Sequence, residues 1–475
     1  MNSTKVVQIV QKVMQQIYDQ FPVIEKIMND ITLFSSDARL VIVGGIVRDA
    51  FLNMPVKDLD IEVYGISLQD LETILRKYGV VRKMGKVFGV LRIDGLAVDF
   101  SLPRTDGPGR KPLTVLNQDL DYQQAFARRD LTVNAMGIDL ISGQLIDPFG
   151  GLADLENKVL KVPNKDFFKE DPLRYFRVMQ FMARFEFVPD AQLYEIGKTM
   201  DLSGLSHERI TEEFYKLLVL GKKPSLGLQW LADTGRLKKI LPELYALIGL
   251  EQDKEWHPEG DVFEHTKQAV DAAALQEYNN DQDRYVMTLA ALCHDLGKSE
   301  ATQHVDGRIR SLGHDVKGVG LAQKVLAVIC KVQSLESHIT KLVRWHMTPF
   351  SLVKNNAGSA AYKRLALRLA PEISCAELGL LVLCDKSGRN PSKTGPLFEF
   401  KEPLLEKFLA QAEKYGVLYQ PEKPVLTGKD LCDLMAPGPE MGKFLKDAYA
   451  MQIEHGIVDK NELKKRVIQC KKSLL

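Results

Sequence analysis

Residues 41–62 read Val-Ile-Val-Gly-Gly-Ile-Val-Arg-Asp-Ala-Phe-Leu-Asn-Met-Pro-Val-Lys-Asp-Leu-Asp-Ile-Glu, and this stretch restricts the fold more than any other. The apolar run 40–43 predicts a buried strand, Gly44 and Gly45 a tight turn, and residues 46–52 a helix. A helix that begins behind two glycines offers free N–H groups and the positive end of its dipole to an anion. The missing Cβ atoms let a phosphate approach the backbone. Beyond Pro55, Asp58 and Asp60 lie two apart among Leu59, Ile61 and Val63, so in a strand both carboxylates project from one face. Two divalent cations would remove their repulsion and clamp the attacking and leaving oxygens of an in-line phosphoryl transfer. A glycine turn beside a solvated acidic edge is the plainer alternative. Turn, helix and Asp-x-Asp strand within about twenty residues favour the phosphate-handling one.

This pattern resembles the signature of the DNA polymerase beta-like nucleotidyltransferases, in the form found in class II tRNA nucleotidyltransferases (CCA-adding enzymes) and bacterial poly(A) polymerases. The resemblance implies that Asp58 and Asp60 hold two magnesium ions and that Gly44, Gly45, Arg48 and Asp49 support the triphosphate end of the site. It also implies a third catalytic carboxylate on a neighbouring strand. Asp99, with apolar flanks in residues 96–100, is the candidate; Asp94 before Gly95 reads as a turn residue and Glu62 as an exposed strand end.

A chain of 475 residues has room for roughly three or four domains, and 45% hydrophobic residues can fill their cores. With 63 basic against 62 acidic side chains, a nucleic-acid partner must be held by local patches and not by a global field. Six cysteines without a C-x-x-C spacing read as reduced, buried thiols of a cytoplasmic protein. The N-terminus is an amphipathic helix, too polar for a signal peptide and too poor in apolar residues to span a membrane, so no membrane partner is expected.

Between the strands and the helices, residues 104–127 read as a flexible loop by composition. Arg128, Arg129, Asp130 and Asn134 follow. Guanidinium forks suit phosphate oxygens and a carboxylate can accept from a ribose hydroxyl, and the resemblance implies that these four residues contact ribose and triphosphate. A surface ion pair is the alternative. Further on, Pro172 fits a first helical turn, which puts Asp171 and Arg174 three apart on one helical face. An acceptor beside donors matches the amine and ring nitrogen that cytosine and adenine share, and leaves buried groups unpaired against uracil and guanine. The resemblance identifies this as the nucleotide-selecting EDxxR motif, with Arg177 on the same helix. Glu208, Arg209 and Glu213 in residues 204–213 resemble the next family motif.

Seven of nine histidines fall between His257 and His346. Neutral imidazoles with carboxylates make a site for a divalent transition metal able to activate water for phosphoester hydrolysis. The His294-Asp295 pair resembles an HD-type phosphohydrolase domain. That resemblance implies His265, His294, Asp295 and Asp385 as metal ligands, with His314 and His346 available to a second metal. His207, His257, His304, His338 and His455 take a structural reading. Residues 441–475 carry eight basic and four acidic side chains, a net +4 that can hold tRNA phosphates by counterion release.

The expected architecture is therefore α+β: a nucleotidyltransferase head with a mixed sheet, followed by helical neck, HD and tail regions. Its parts are an N-terminal amphipathic helix over 1–37, the head over 38–155, a neck over 156–250, an HD domain over 251–395, and a tRNA-binding tail over 396–475. The resemblance implies template-independent addition of CCA to tRNA from CTP and ATP, with magnesium in the head and a transition metal in the HD domain. Poly(A) polymerase, an enzyme adding only CC or only A, and a phosphohydrolase whose head binds RNA ends stay open.

Overall fold

The computed structural model describes residues 2–55, 59–84, 89–106, 114–397 and 401–472. The chain divides into two compact units, Met1–Glu213 and Phe214–Leu475.

In the first unit the apolar run becomes β1 (Arg39–Val43), buried at every residue but the first. Gly44 then takes φ +84°, a conformation that side chains disfavour, and turns the chain into the helix Gly45–Phe51. β2 (Leu59–Tyr64), β3 (Val81–Met84), β4 (Val90–Ile93) and β5 (Val98–Ser101) follow. β6 (Arg104–Asp106) and β7 (Thr114–Leu116) form a separate antiparallel ribbon, and β8 (Gly137–Asp139) and β9 (Leu145–Ile146) rejoin the main sheet. The order is β3-β4-β5-β2-β1-β8-β9. β2 and β5 run parallel and the other neighbours antiparallel, which makes the sheet mixed, as expected. Val41, Val43, Tyr64, Phe126 and Ala135 pack together in one of its cores.

Residues 104–127 differ from the loop that composition suggested. Besides β6 and β7 they hold the helix Tyr122–Ala127, whose N-terminus is closed by a reciprocal Asp121 and Gln124 capping box and whose Phe126 is fully buried. The N-terminal amphipathic segment is two helices, Ser3–Gln20 and Val23–Phe34, with Pro22 capping the second. β10 (Val159–Leu160), the helices Lys165–Glu170 and Leu173–Phe185, β11 (Val188–Pro189) and the helix Ala191–Thr199 follow the head, with β10 and β11 paired in parallel.

Among the described residues the regular elements of the second unit are helical apart from the hairpin β12 (Gln303–Val305) and β13 (Arg308–Arg310). The helices Val262–Ala274, Asp281–Cys293 and Cys375–Ser387 bury most of their residues, including Val270, Leu289 and Leu381 at 0% exposure. The helices Pro403–Lys414, Pro439–His455 and Lys460–Lys472 end the described chain, the last two around a core of Leu426, Leu431, Phe444, Leu463 and Val467. Cys293, Cys330, Cys375 and Cys384 are free and buried, whereas Cys432 is free and exposed. Among the described residues no helix is long and apolar enough to cross a membrane.

Candidate functional site

In the first unit the candidate residues lie on the neighbouring strands β5, β2 and β1 and on the helix Gly45–Phe51 that follows β1. The parallel register sets Asp60 of β2 directly beside Asp99 of β5, and Asp60 is exposed at the start of its strand. Side chains in register project from the same face, so their carboxylates can share a ligand, and oxygen donors of this kind suit magnesium. Asp58 lies outside the described residues. Asp99 also accepts a two-pronged pair from Arg92 of β4, its cross-strand partner, at 2.5 and 2.7 Å.

Two guanidinium groups flank the glycine turn. A Cβ on Gly44 would come within 3.1 Å of an Arg129 nitrogen, and one on Gly45 within 3.1 Å of an Arg48 nitrogen. Arg48 is buried, pairs with Asp49, and donates to the Asn134 side-chain oxygen at 2.5 Å. Its guanidinium lies 4.7 Å from the Phe185 ring centre. Asn134 in turn donates to Asp130 at 2.9 Å, and Asp130 accepts from Arg177 at 2.6 Å. One chain of polar contacts thus runs Asp49, Arg48, Asn134, Asp130, Arg177. Burial opposes ionisation of Asp130, but Arg177, Asn134 and Arg174 outweigh it and hold the carboxyl down at about 2.

Glu62 corrects an expectation. It is 1% exposed, not an exposed strand end, because β2 lies inside the sheet between β1 and β5. Its Oε1 accepts from Arg128 at 2.6 Å and from Arg129 at 3.2 Å, and its Oε2 from the Tyr64 hydroxyl at 3.0 Å. A charged residue amid Ile61, Val63 and Tyr64, two places beyond Asp60, was the signal for a buried anchor.

Asp171 and Arg174 also differ from the expected geometry. Pro172 stands at the cap and the helix starts at Leu173, so Asp171 is in extended backbone outside it. Asp171 accepts from Leu173 N–H and pairs with Arg209 at 3.1 Å. Arg174 donates to the backbone carbonyls of Phe167 at 2.6 Å and Arg128 at 2.5 Å. The helix thus ties the Arg128 backbone to Arg174 and the Asp130 carboxylate to Arg177.

In the second unit the six residues His265, His294, Asp295, His314, His346 and Asp385 come together, all buried. Five chain segments supply them: three from within or at the start of helices (His265, His314, Asp385), and three from just beyond helix ends (His294, Asp295, His346). Gly297 makes this possible. A Cβ there would sit 2.0 Å from the His314 carbonyl oxygen, so only glycine lets the two segments touch.

The imidazole orientations follow from their outer nitrogens. Nδ1 of His294, His314 and His346 lies 2.8, 2.7 and 2.7 Å from the carbonyls of Ala291, Ser311 and Val343, which assigns the proton to Nδ1. Nδ1 of His265 is 2.8 Å from Glu259. In the neutral imidazoles the inward Nε2 atoms bear lone pairs, and those of His265 and His294 stand 3.2 Å apart and those of His314 and His346 3.1 Å. Against burial, Asp385 and Glu259 raise the pKa of His265 and Asp295 that of His314, so a proton there is favoured when no cation is bound. Facing lone pairs repel unless a cation or proton lies between them. Asp295 reaches His294 at 3.2 Å and His314 at 3.3 Å, and Asp385 reaches His265 at 3.2 Å. Ligand atoms of His265, His294 and Asp295 fall within 4.8 Å of one another, as do those of Asp295, His314 and His346.

Burial disfavours charge on Asp295 and Asp385, but His294 and Lys298 beside the first, and Lys386 and Arg389 beside the second, hold both well below the usual carboxylate range. Burial, with His314 and His294, pushes His346 down to about 3. Ionised carboxylates and a neutral imidazole are the forms that bind metals. His257 took a structural reading in the sequence and Glu259 none: Nδ1 of His257 lies 2.8 Å from the same Glu259 oxygen that faces His265. The spacing His257-x-Glu259 before His265 was the available clue. Of the other histidines, His338 pairs with Glu377 at 3.1 Å.

A family model described as the poly A polymerase head domain matches residues 40–161, and one described as a probable RNA- and SrmB-binding site of polymerase A matches residues 199–247. The multifunctional CCA protein of Nitrosospira multiformis is 33% identical over 385 residues, 78% of this chain and 88% of that protein. The multifunctional CCA protein of Pasteurella multocida is 34% identical over 292 residues, 59% of this chain and 67% of that protein. Among solved structures, the CCA-adding enzyme of Thermotoga maritima complexed with tRNA aligns over 97% of this chain and 98% of its own, with TM-score 0.60 and 18% identity. That of Bacillus stearothermophilus with CTP gives 0.58, 18%, and coverage of 95% and 99%. These structural likenesses establish the fold.

Proposed function

The chain belongs to the multifunctional CCA protein family of tRNA nucleotidyltransferases, and from that premise we propose that it adds C, C and A to the 3′ end of tRNA from CTP and ATP without a nucleic-acid template. The observation that carries this reading is the parallel register of Asp60 and Asp99 beside the Gly44 and Gly45 turn. Each 3′-hydroxyl attacks the α-phosphate of the next nucleotide, a new P–O bond forms, and pyrophosphate leaves. Magnesium held by Asp58, Asp60 and Asp99 would supply charge neutralisation at the attacking and leaving oxygens.

The chain's own groups do the rest. Arg48 and Arg129, fixed by Asn134 and Glu62, present donors to the triphosphate beside the glycine turn. Asp130, held ionised, offers an acceptor to the ribose. Asp171 and Arg174, the first steadied by Arg209, face the Watson–Crick edge of the incoming base and favour C and A over U and G. ATP as the sole nucleotide, supplied with a tRNA ending at its discriminator base, separates the rivals. This reading expects no extension, whereas a poly(A) polymerase would build a run of A. Supplying CTP and then ATP distinguishes the complete enzyme from one that stops at CC or adds only A.

A second activity is favoured by the buried cluster of the second unit, which we read as an HD-type phosphohydrolase site. Its mixed imidazole and carboxylate donors suit nickel, manganese or cobalt better than magnesium alone, and such an ion would supply a nucleophilic water at neutral pH. Phosphate at damaged RNA 3′ ends, 2′,3′-cyclic or 2′-linked, is the substrate class, since extension needs a free 3′-hydroxyl. Asp295→Ala should abolish hydrolysis and spare nucleotide addition. A purified protein that holds no metal and hydrolyses none of these esters with any of the three ions returns the cluster to a structural role.

A further inference from the structure

The Arg48 guanidinium of the first unit is held in two different ways. At its edge, Nε donates to Asp49 at 2.8 Å and Nη1 to Asn134 at 2.5 Å. Its central carbon also lies over two rings, 5.2 Å from the centre of Phe181 and 4.7 Å from that of Phe185. The rings themselves are stacked, with centres 5.7 Å apart and planes 22° from parallel. Phe181 and Phe185 stand four residues apart in the helix Leu173–Phe185, on the face that Arg177 and Arg174 continue toward its start at spacings of four and three. A phenyl ring attracts a cation through its electron-rich face and takes up none of its in-plane N–H donors. Holding Arg48 in this way leaves donors of its edge for a ligand, and that edge reaches the glycine turn: a Cβ on Gly45 would stand 3.1 Å from Nη2.

Two more guanidinium groups share the same rings. Arg177 lies 5.2 Å from the Phe181 ring centre and Arg184 5.0 Å from that of Phe185. Burial, Arg48 and Arg177 lower the pKa of Arg184, with Asp49 and Glu213 opposing them. Like charges gathered away from water are stabilised when a polyanion approaches.

We propose that Phe181 and Phe185 are positioning residues for the triphosphate of the incoming nucleotide: the stacked pair steadies the Arg48 guanidinium so that its N–H edge stays beside the glycine turn. This rests on the nucleotide-addition reading of the first unit and adds to it what fixes the phosphate-binding arginine. An arginine ordered before the nucleotide arrives spares the entropy of ordering it on binding. Arg174, proposed above to face the base, stands near the start of the same helix, so one element sets both ends of the nucleotide. Packing alone would be served by any apolar side chain of similar size, whereas steadying a cation needs the ring.

The test uses the full-length protein with magnesium and no tRNA, and measures calorimetric binding of CTP, ATP and inorganic tripolyphosphate, which has no base. Phe185→Leu keeps an apolar side chain and removes the ring; it should weaken all three about tenfold, with Phe185→Tyr restoring most of the loss. In an Arg48→Gln background the same Phe185→Leu change should weaken them less than about twofold, because the ring acts through the guanidinium. Thermal melts check folding, and Phe185→Met replaces Phe185→Leu in the same cycle if the latter unfolds. Affinities unchanged by loss of the ring, or weakened to the same extent with and without Arg48, overturn the positioning role and leave the nucleotide-addition reading standing. A loss confined to CTP and ATP, with tripolyphosphate bound as before, would place the rings at the base and overturn it as well. A wild-type protein that binds none of the three removes the nucleotide-addition reading and the positioning role with it.

Discussion

Asp60 and Asp99 occupy the same register on the parallel strands β2 and β5, so two residues thirty-nine positions apart present their carboxylates side by side. Asp60→Ala and Asp99→Ala should each cut nucleotide addition by about 10³-fold, the equivalent of about 4 kcal/mol of transition-state stabilisation. The Kd for tRNA should change little, because ligands of a catalytic metal act on the transition state more than on a distant RNA surface. Single-turnover rates with a filter-binding control read both. Near wild-type turnover in either variant would remove the carboxylate site.

Arg174 donates to the carbonyls of Phe167 and Arg128 while standing near Asp171 and Asp130. Arg174→Ala should slow incorporation of C and A and reduce discrimination against UTP and GTP by about tenfold or more, because the base edge loses its partner. Parallel rate measurements with the four nucleotides decide it. Equal slowing of all four would mean that Arg174 only braces its helix.

Glu62 is the shared acceptor of Arg128, Arg129 and Tyr64. Removing one partner of a buried ion pair costs about 3–5 kcal/mol. Glu62→Ala should therefore destabilise the first unit by about 3 kcal/mol in denaturant unfolding and weaken triphosphate binding with it. A variant of unchanged stability would place Glu62 in solvent.

Asp271 gives the second unit a pH dependence. Burial raises its carboxyl to about 7, although Ser225 donates to it through N–H at 2.8 Å and hydroxyl at 2.6 Å. An unfolded aspartate loses its proton near 3.9, so between about pH 4 and 7 the folded state binds more protons and stability falls as pH rises. Over roughly three pH units the loss is at most about 4 kcal/mol. Thermal melts from pH 5 to 8 should show a steeper fall for the wild type than for Asp271→Asn. Parallel profiles would contradict the assignment.

How much of this the sequence disclosed depended on whether local pattern or neighbours decided the outcome. β1, β2 and β5 follow from apolar runs that need no partner to be recognised. β3, β6 and β9 are short and largely polar or half-exposed, and exist because an adjacent strand completes their hydrogen bonds. Asp121 and Gln124 did signal a helix start inside the supposed loop, where the glycines and prolines of residues 107–112 dominated the composition. The six residues that the HD-type resemblance implied as a cluster lie together in the second unit, Asp385 through His265. Glu259 behind His265 left only the His257-x-Glu259 spacing as a clue, and Arg92 against Asp99 was not legible, since each acts through a contact made only after folding. Asp171 was misplaced by a single residue of helix start, enough to exchange its partner for Arg209.

The central claim is tested most directly by giving the wild-type protein a tRNA that ends at its discriminator base, with CTP, ATP and magnesium together, and sequencing the product's 3′ end. The account predicts one added C-C-A and then arrest. No extension, a run of A, or incorporation of U or G at rates comparable to C and A would contradict it.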